Sequence, residues 1–132
     1  MAAFAGFLSG REAARHMKKR NRGSIFFTGA TASIRGGSGF AAFSSAKFAL
    51  RSLSQSMARE LGPQGIHVAH FIIDGAIDTA FIKENFPDVY ALKEKDGILQ
   101  PNAIADAYWF VHTQEKNAWT HELDLRPYME KF

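Results

Sequence analysis

Gly39-Phe40-Ala41-Ala42-Phe43-Ser44-Ser45-Ala46-Lys47-Phe48-Ala49-Leu50 is the stretch on which the reading of this chain turns. It follows a glycine-rich loop, Arg35-Gly36-Gly37-Ser38-Gly39, and opens a helical pattern that runs to Leu61-Gly62-Pro63. Phe43 and Lys47 stand one turn apart and share a face of that helix. Leu50, Leu53 and Met57 form an apolar stripe at helical spacing, which reads as a core face. Small residues such as Ala42, Ser44, Ser45, Ala46, Ala49 and Ser52 allow close approach to a sheet on one side and to another helix elsewhere. Gly62-Pro63 is a stop signal.

Strands are expected on both sides of this helix. Ser24 to Thr28 reads as a short strand whose run Ile25-Phe26-Phe27 suits a parallel sheet buried on both faces. Gly65 to Ile73 reads as a second buried strand. His67 and His70 lie three apart within it, so they point to opposite faces and form no metal pair. His16, His112 and His121 have no ligand spacing either, and no metal site is expected. Thr28-Gly29-Ala30-Thr31-Ala32-Ser33-Ile34-Arg35 invites comparison with a glycine loop that cradles a pyrophosphate at a helix N-terminus. Ser33 and Arg35 occupy the places of the later glycines, and the helix begins only after Gly39, so that reading fails.

Residues 1–19 read as a helix with Phe4, Phe7, Leu8, Ala14 and Met17 as apolar positions. It has no Ser, Thr, Asp or Asn cap ahead of it and starts in mid-pattern, which predicts a truncated reading. Residues 74–100 are the least regular part, with Pro87, Gly97 and the charged stretch Lys93-Glu94-Lys95-Asp96. Pro101 to Val111 reads as a helix opened by proline in its first turn. Trp119 to Leu125 alternates polar and apolar residues and reads as an edge strand stopped by Arg126-Pro127. Tyr128, Met129 and Phe132 leave an aromatic tail suited to packing against a neighbouring subunit.

The 132 residues are 46% hydrophobic and 22% charged, enough for one globular domain with a real core. The net charge of +3 comes mostly from Lys18-Lys19-Arg20-Asn21-Arg22, which reads as a solvated helix end suited to the macrodipole rather than a nucleic-acid patch. The chain contains no cysteine, which excludes disulfides and thiol catalysis and suits a cytoplasmic protein. No apolar run approaches the roughly 20 residues needed to span a bilayer, and no membrane partner is expected.

The order of these pieces resembles the C-terminal half of a short-chain dehydrogenase/reductase. Members of that family show Tyr-x-x-x-Lys on a long helix, a Glu-Leu-x-x-x-Gly-Ile-x-Val turn into a strand, and a Pro-Gly-x-Ile/Val-x-Thr loop. Here the corresponding residues are Phe43 and Lys47, then Glu60-Leu61-Gly62-Pro63-Gln64-Gly65-Ile66-His67-Val68, then Asp74-Gly75-Ala76-Ile77-Asp78-Thr79. The resemblance implies an α/β fold, the C-terminal half of a Rossmann-like doubly wound parallel sheet flanked by helices. Residues 1–132 would form a single partial domain lacking the nucleotide-binding half.

The resemblance also assigns places in a catalytic site. Lys47 retains the family's lysine, Phe43 stands at the tyrosine, Ala30 at the serine and Ala2 at the asparagine. In the family the tyrosine hydroxyl exchanges a proton with the substrate oxygen, its pKa lowered from about 10 by the lysine and the cofactor. Thr28, Thr31 and Ser33 are nearby hydroxyls, read as ordinary loop hydrogen bonding ahead of substitution for the missing serine. The implied cofactor contacts are Lys47, Gly75, Ile77 and Thr79, with NAD or NADP in the complete protein and no tight binding by this chain alone. Residues 74–100 fall where the family has its substrate lid. The expected function is an NAD(P)-dependent oxidoreductase-like protein, a fragment with the usual catalysis lost or redirected. The competing expectation is a non-enzymatic binding or oligomerisation module, a homo-oligomer built through helices 1–19 and 41–61. The small-molecule substrate is not legible.

Overall fold

The computed structural model describes residues 1–132. Helix α1 spans Ala2–Lys18, strand β1 Gly23–Ala30, helix α2 Ala41–Leu61 and strand β2 Ile66–Ile73. Short helices α3 (Ala80–Asn85) and α4 (Pro87–Tyr90) follow, then α5 (Pro101–His112) and strand β3 (Glu122–Leu125). The three strands are parallel in the order β1-β2-β3. Register runs from Gly23 opposite Ile66 to Ala30 opposite Ile73, and from His70 opposite Glu122 to Ile73 opposite Leu125. The fold is the expected one, a parallel α/β sheet flanked by helices.

Strand β2 is central and buried at every residue, as a near-continuous apolar run predicts for a strand covered on both faces. Its two faces serve two cores. Ile66 and Val68 pack with Ala14, Ile25, Phe27, Leu50 and Leu61 beneath α1 and α2. Ala69, Phe71 and Ile73 pack with Leu99 and Val111 on the α5 side. Strand β1 departs from expectation in two ways. It is longer than Ser24 to Thr28, and only Ile25, Phe27 and Gly29 are buried, whereas Phe26 is half-buried and Thr28 exposed.

Helix α1 packs through its small residues. A side chain at Gly6 would come within 2.5 Å of Leu50, and one at Gly10 within 3.0 Å of Met57. Gly10 and Ala14 are its buried residues, so the Leu50 and Met57 side chains of α2 pack directly onto the α1 backbone. Phe4, Phe7 and Leu8, expected on the apolar face, are exposed instead. Helix α2 has the predicted limits, but the chain turns on through Gly62–Gln64 and stops at Gly65, whose φ of 79° is left-handed. Strand β3 covers only the second half of the predicted Trp119–Leu125. Trp119 instead stacks on His67, with ring centroids 4.5 Å apart. No helix is long and apolar enough to cross a membrane.

Candidate active-site cleft

In open parallel sheets ligands bind beyond the carboxyl ends of the strands. At that edge the end of β1, the start of α2, the loop after β2 and helix α3 surround a cleft of about 700 Å³. Ala30 and Thr31 come from the end of β1, Phe40 and Phe43 from the start of α2, and Gly75 from the loop after β2; Phe81 and Ile82 of α3 close the far side. Ala30, Phe43 and Gly75, separate in sequence, thus meet in one place. The walls are largely apolar because these three residues bring no polar side chain.

Lys47 lies behind Phe43 rather than in the wall. Its Nζ donates to the carbonyl of Thr28 at 2.9 Å and sits 5.8 Å from the centroid of the Phe43 ring. Burial disfavours its ammonium and lowers its pKa from 10.5. An ammonium has further N–H groups beyond the one used on Thr28, so Lys47 can still donate to a ligand. Ile77 and Thr79 do not line the cleft. Ile77 bridges to Leu99 and packs into the α5-side core, and the Thr79 hydroxyl caps α3 by accepting from the Ile82 N–H at 3.3 Å. Gly75 has φ of 150°, and a side chain there would meet Pro127 at 2.9 Å. Ala2 opens α1 and does not line the cleft.

The three nearby hydroxyls all have protein partners. Ser33 Oγ, fully buried, accepts from the Ala30 N–H at 3.0 Å. Thr28 Oγ1 pairs with the Tyr108 hydroxyl at 2.6 Å, and Thr31 Oγ1 donates to Asp74 Oδ1 at 2.5 Å.

Two features went unrecognised in the sequence. Asp74, considered there only as the residue at the family's proline, is fully buried at the floor beside the cleft. Arg35 Nη2 approaches its Oδ1 at 3.7 Å and Arg126 Nε its Oδ2 at 3.5 Å; Arg126 also pairs with Asp124. A carboxylate closing an apolar strand requires such partners, and that requirement is the signal sequence reading had available. The second feature is a polar cluster beneath the first. Arg51 forks onto Glu122 at 2.8 and 2.7 Å, and the buried His70 places Nδ1 3.0 Å from the same carboxylate. Burial lowers the His70 pKa, keeping the ring neutral, so Nδ1–H donates to Glu122. Burial also pushes the Glu122 carboxyl up, but hydrogen bonds from Arg51 and His70 outweigh it and leave a lowered pKa. On the other side, His70 Nε2 lies against Gly29, where any side chain would overlap it.

A family model described as short chain dehydrogenase matches residues 2–89. The chain belongs to the short-chain dehydrogenase family. Among curated relatives, the (21S)-21-acetoxyl-apo-melianone synthase of Melia azedarach is 30% identical over 118 residues, 83% of this chain and 43% of that protein. The crystal structure of a short-chain dehydrogenase from Rhodopseudomonas palustris superposes with a TM-score of 0.75 at 53% identity, covering 97% of this chain and 49% of that one. Serine dehydrogenase complexed with NADP+ shares the fold, with a TM-score of 0.75 at 20% identity over 93% of this chain and 51% of that one. The chain therefore spans about half the length, or less, of the relatives it matches.

Proposed function

We propose that this chain forms the substrate-side half of an NAD(P)-dependent oxidoreductase site whose usual tyrosine and serine chemistry has been lost or redirected. One observation supports this most directly: Phe43 and Ala30 face one cleft with Lys47 one helical turn behind. The lysine is retained where the hydroxyls are not. The structural relative complexed with NADP+ supports the choice of cofactor class.

Bound NAD(P) would supply or accept the hydride. Toward it, Lys47 offers the ammonium donors left over from Thr28, Gly75 a backbone close to the cleft, and Ile77 and Thr79 the continuation of the same loop. Phe43 has no proton to exchange at any pH. Loss of general acid–base help costs roughly 10²–10⁴ in rate, and loss of a donor to the developing oxyanion costs a further ~10²–10³, less than additively. Ordinary carbonyl reduction by this route is accordingly suppressed. The glycine loop and ribose-binding acid of a dinucleotide fold are not found within these residues, so tight cofactor binding belongs to a complete protein that supplies them.

A second reading has its own support: Phe4 and Phe7 on α1 and Phe48 on α2 stand 67%, 46% and 43% exposed. A non-enzymatic module that assembles through residues 1–19 and 41–61 as a homo-oligomer would cover them. Turnover of a panel of carbonyls and alcohols by the complete protein, with NAD(H) and NADP(H), separates the two. Robust turnover lost in Lys47→Ala establishes an enzyme; cofactor binding without turnover supports the degenerate site; neither, with a stable oligomer, supports the module.

A further inference from the structure

The cleft has few polar side chains for its size. Of its 13 lining residues, only Thr31 and Arg35 carry polar side chains. Thr31 is turned to Asp74, its hydroxyl proton already committed. Arg35 is therefore the cleft's only side-chain cation. Its side chain is 41% exposed, and its one hydrogen bond is to the Lys131 carbonyl at 3.3 Å. A guanidinium has several further N–H donors in a planar fork. Asp74 does not occupy them: at 3.7 Å it is a loose ion-pair partner of Arg35 without a hydrogen bond, and Arg126 approaches its other oxygen.

We infer that the cleft binds a small molecule with an apolar or aromatic body and a carboxylate, and that Arg35 is the anchor for that carboxylate. The fork of a guanidinium matches the two oxygens of a carboxylate, as a bidentate charge-assisted pair. Phe40, Phe43 and Phe81, exposed at 60%, 49% and 62%, supply aromatic surface for the rest of the molecule. A single negative charge fits better than the double charge of a phosphate monoester. Arg35 is the only cation in the lining, the buried Asp74 carboxylate lies close behind it, and Arg126 is engaged by Asp74 and Asp124. Asp74 acts as a positioning residue, holding Arg35 at the cleft without filling its donors.

This inference deepens the proposed oxidoreductase reading by naming a substrate class for the same cleft, and its test is independent of the cofactor. The probe is 4-phenylbutyrate, with 4-phenylbutyramide as its neutral counterpart and phenyl phosphate as the dianion control. Binding to the purified chain is measured by titration calorimetry and by NMR shifts of the Arg35 Nε–H. The acid is expected to bind at least about tenfold more tightly than the amide, as loss of a charge-assisted pair implies, and to shift the Arg35 signal. Arg35→Gln should remove that preference, so that acid and amide bind with similar affinity. Because Arg35→Gln leaves Asp74 with one cation fewer, the double variant Arg35→Gln/Asp74→Asn is measured beside it and should behave alike. Equal binding of acid and amide, an acid preference that survives both variants, tighter binding of phenyl phosphate, or no binding of any probe would each overturn the inference. Acid binding through Arg35 in a complete protein that binds no NAD(P) would leave this site standing and remove the redox reading; cofactor binding with no acid preference would do the reverse.

Discussion

At the scale of single residues, Gly29 leaves no room for a side chain. It sits in β1 with a buried imidazole pressed against it, and Ser33 Oγ would lie 2.6 Å from any added Cβ. Gly29→Ala should therefore destabilise the fold by about 1–3 kcal/mol, the usual cost of overpacking, measured as a lower urea midpoint at constant slope. An unchanged midpoint would mean that His70 moves aside freely. This residue also shows where sequence reading stopped short. The sequence places the strand over Ser24 to Thr28, whereas Gly29 and Ala30 continue it, and Gly29 is fixed by contact with His70, far along the chain. Phe43, Lys47 and Ala30 were placed by the family resemblance, with only the Phe43–Lys47 pair following from helical spacing. The pairing of Arg35 with Asp74 was not legible, because it exists only once the ends of β1 and β2 lie side by side.

At the scale of elements, helix α2 was legible from end to end. Its stripe of Leu50, Leu53 and Met57 and its Gly62-Pro63 stop are local signals, and their burial matches them. Helix α1 was legible in extent and partly in facing: Ala14 and Met17 pack on the core as expected, but glycine contacts decide the packing of its first half, and hydropathy gives glycine little weight. The irregular residues 74–100 contain α3, which begins with a true cap. Thr79→Ala should cost about 1 kcal/mol, seen as faster amide exchange in Ala80–Asn85 with little change elsewhere; protection unchanged there would mean that packing alone holds α3. The Arg51–Glu122–His70 cluster ties α2, β2 and β3 together. Glu122→Gln keeps the shape but removes the charge from three charge-assisted hydrogen bonds and turns an amide NH2 toward a donor, and should cost about 1–3 kcal/mol in a denaturation experiment. A neutral effect would show that burial cancels the gain from pairing.

At the scale of the whole molecule, pH is the revealing variable. The His70 pKa is held below the ordinary 6.5 by burial, so between those values the unfolded chain binds a proton that the folded chain refuses. Stability should then fall as pH drops below about 6.5 toward the folded-state value. The depressed Glu122 carboxyl adds a further loss below about 4.5, as its pairing with Arg51 is protonated away. Urea midpoints at pH 7.5, 6.5 and 5.5 should decline in that order; a flat profile would place His70 in water. The same scale decides how much of a dinucleotide fold operates here. The chain covers 49% of the Rhodopseudomonas palustris dehydrogenase, and the intact mass of the native protein tells whether one polypeptide supplies the other half. A mass well above 14.6 kDa fits the oxidoreductase proposal, and a mass equal to it favours the assembly role.

On the proposed reading, the hydroxyls missing at Phe43 and Ala30, with Lys47 in place, silence ordinary carbonyl reduction. The most direct test is NAD(P)H oxidation by the complete protein with a carbonyl panel, wild type against the paired variant Phe43→Tyr/Ala30→Ser. No turnover above background is expected for the wild type, and a gain of at least about 10²-fold in the pair. Wild-type reduction at a rate the pair does not improve, or a pair as silent as the wild type while still binding cofactor, would contradict it.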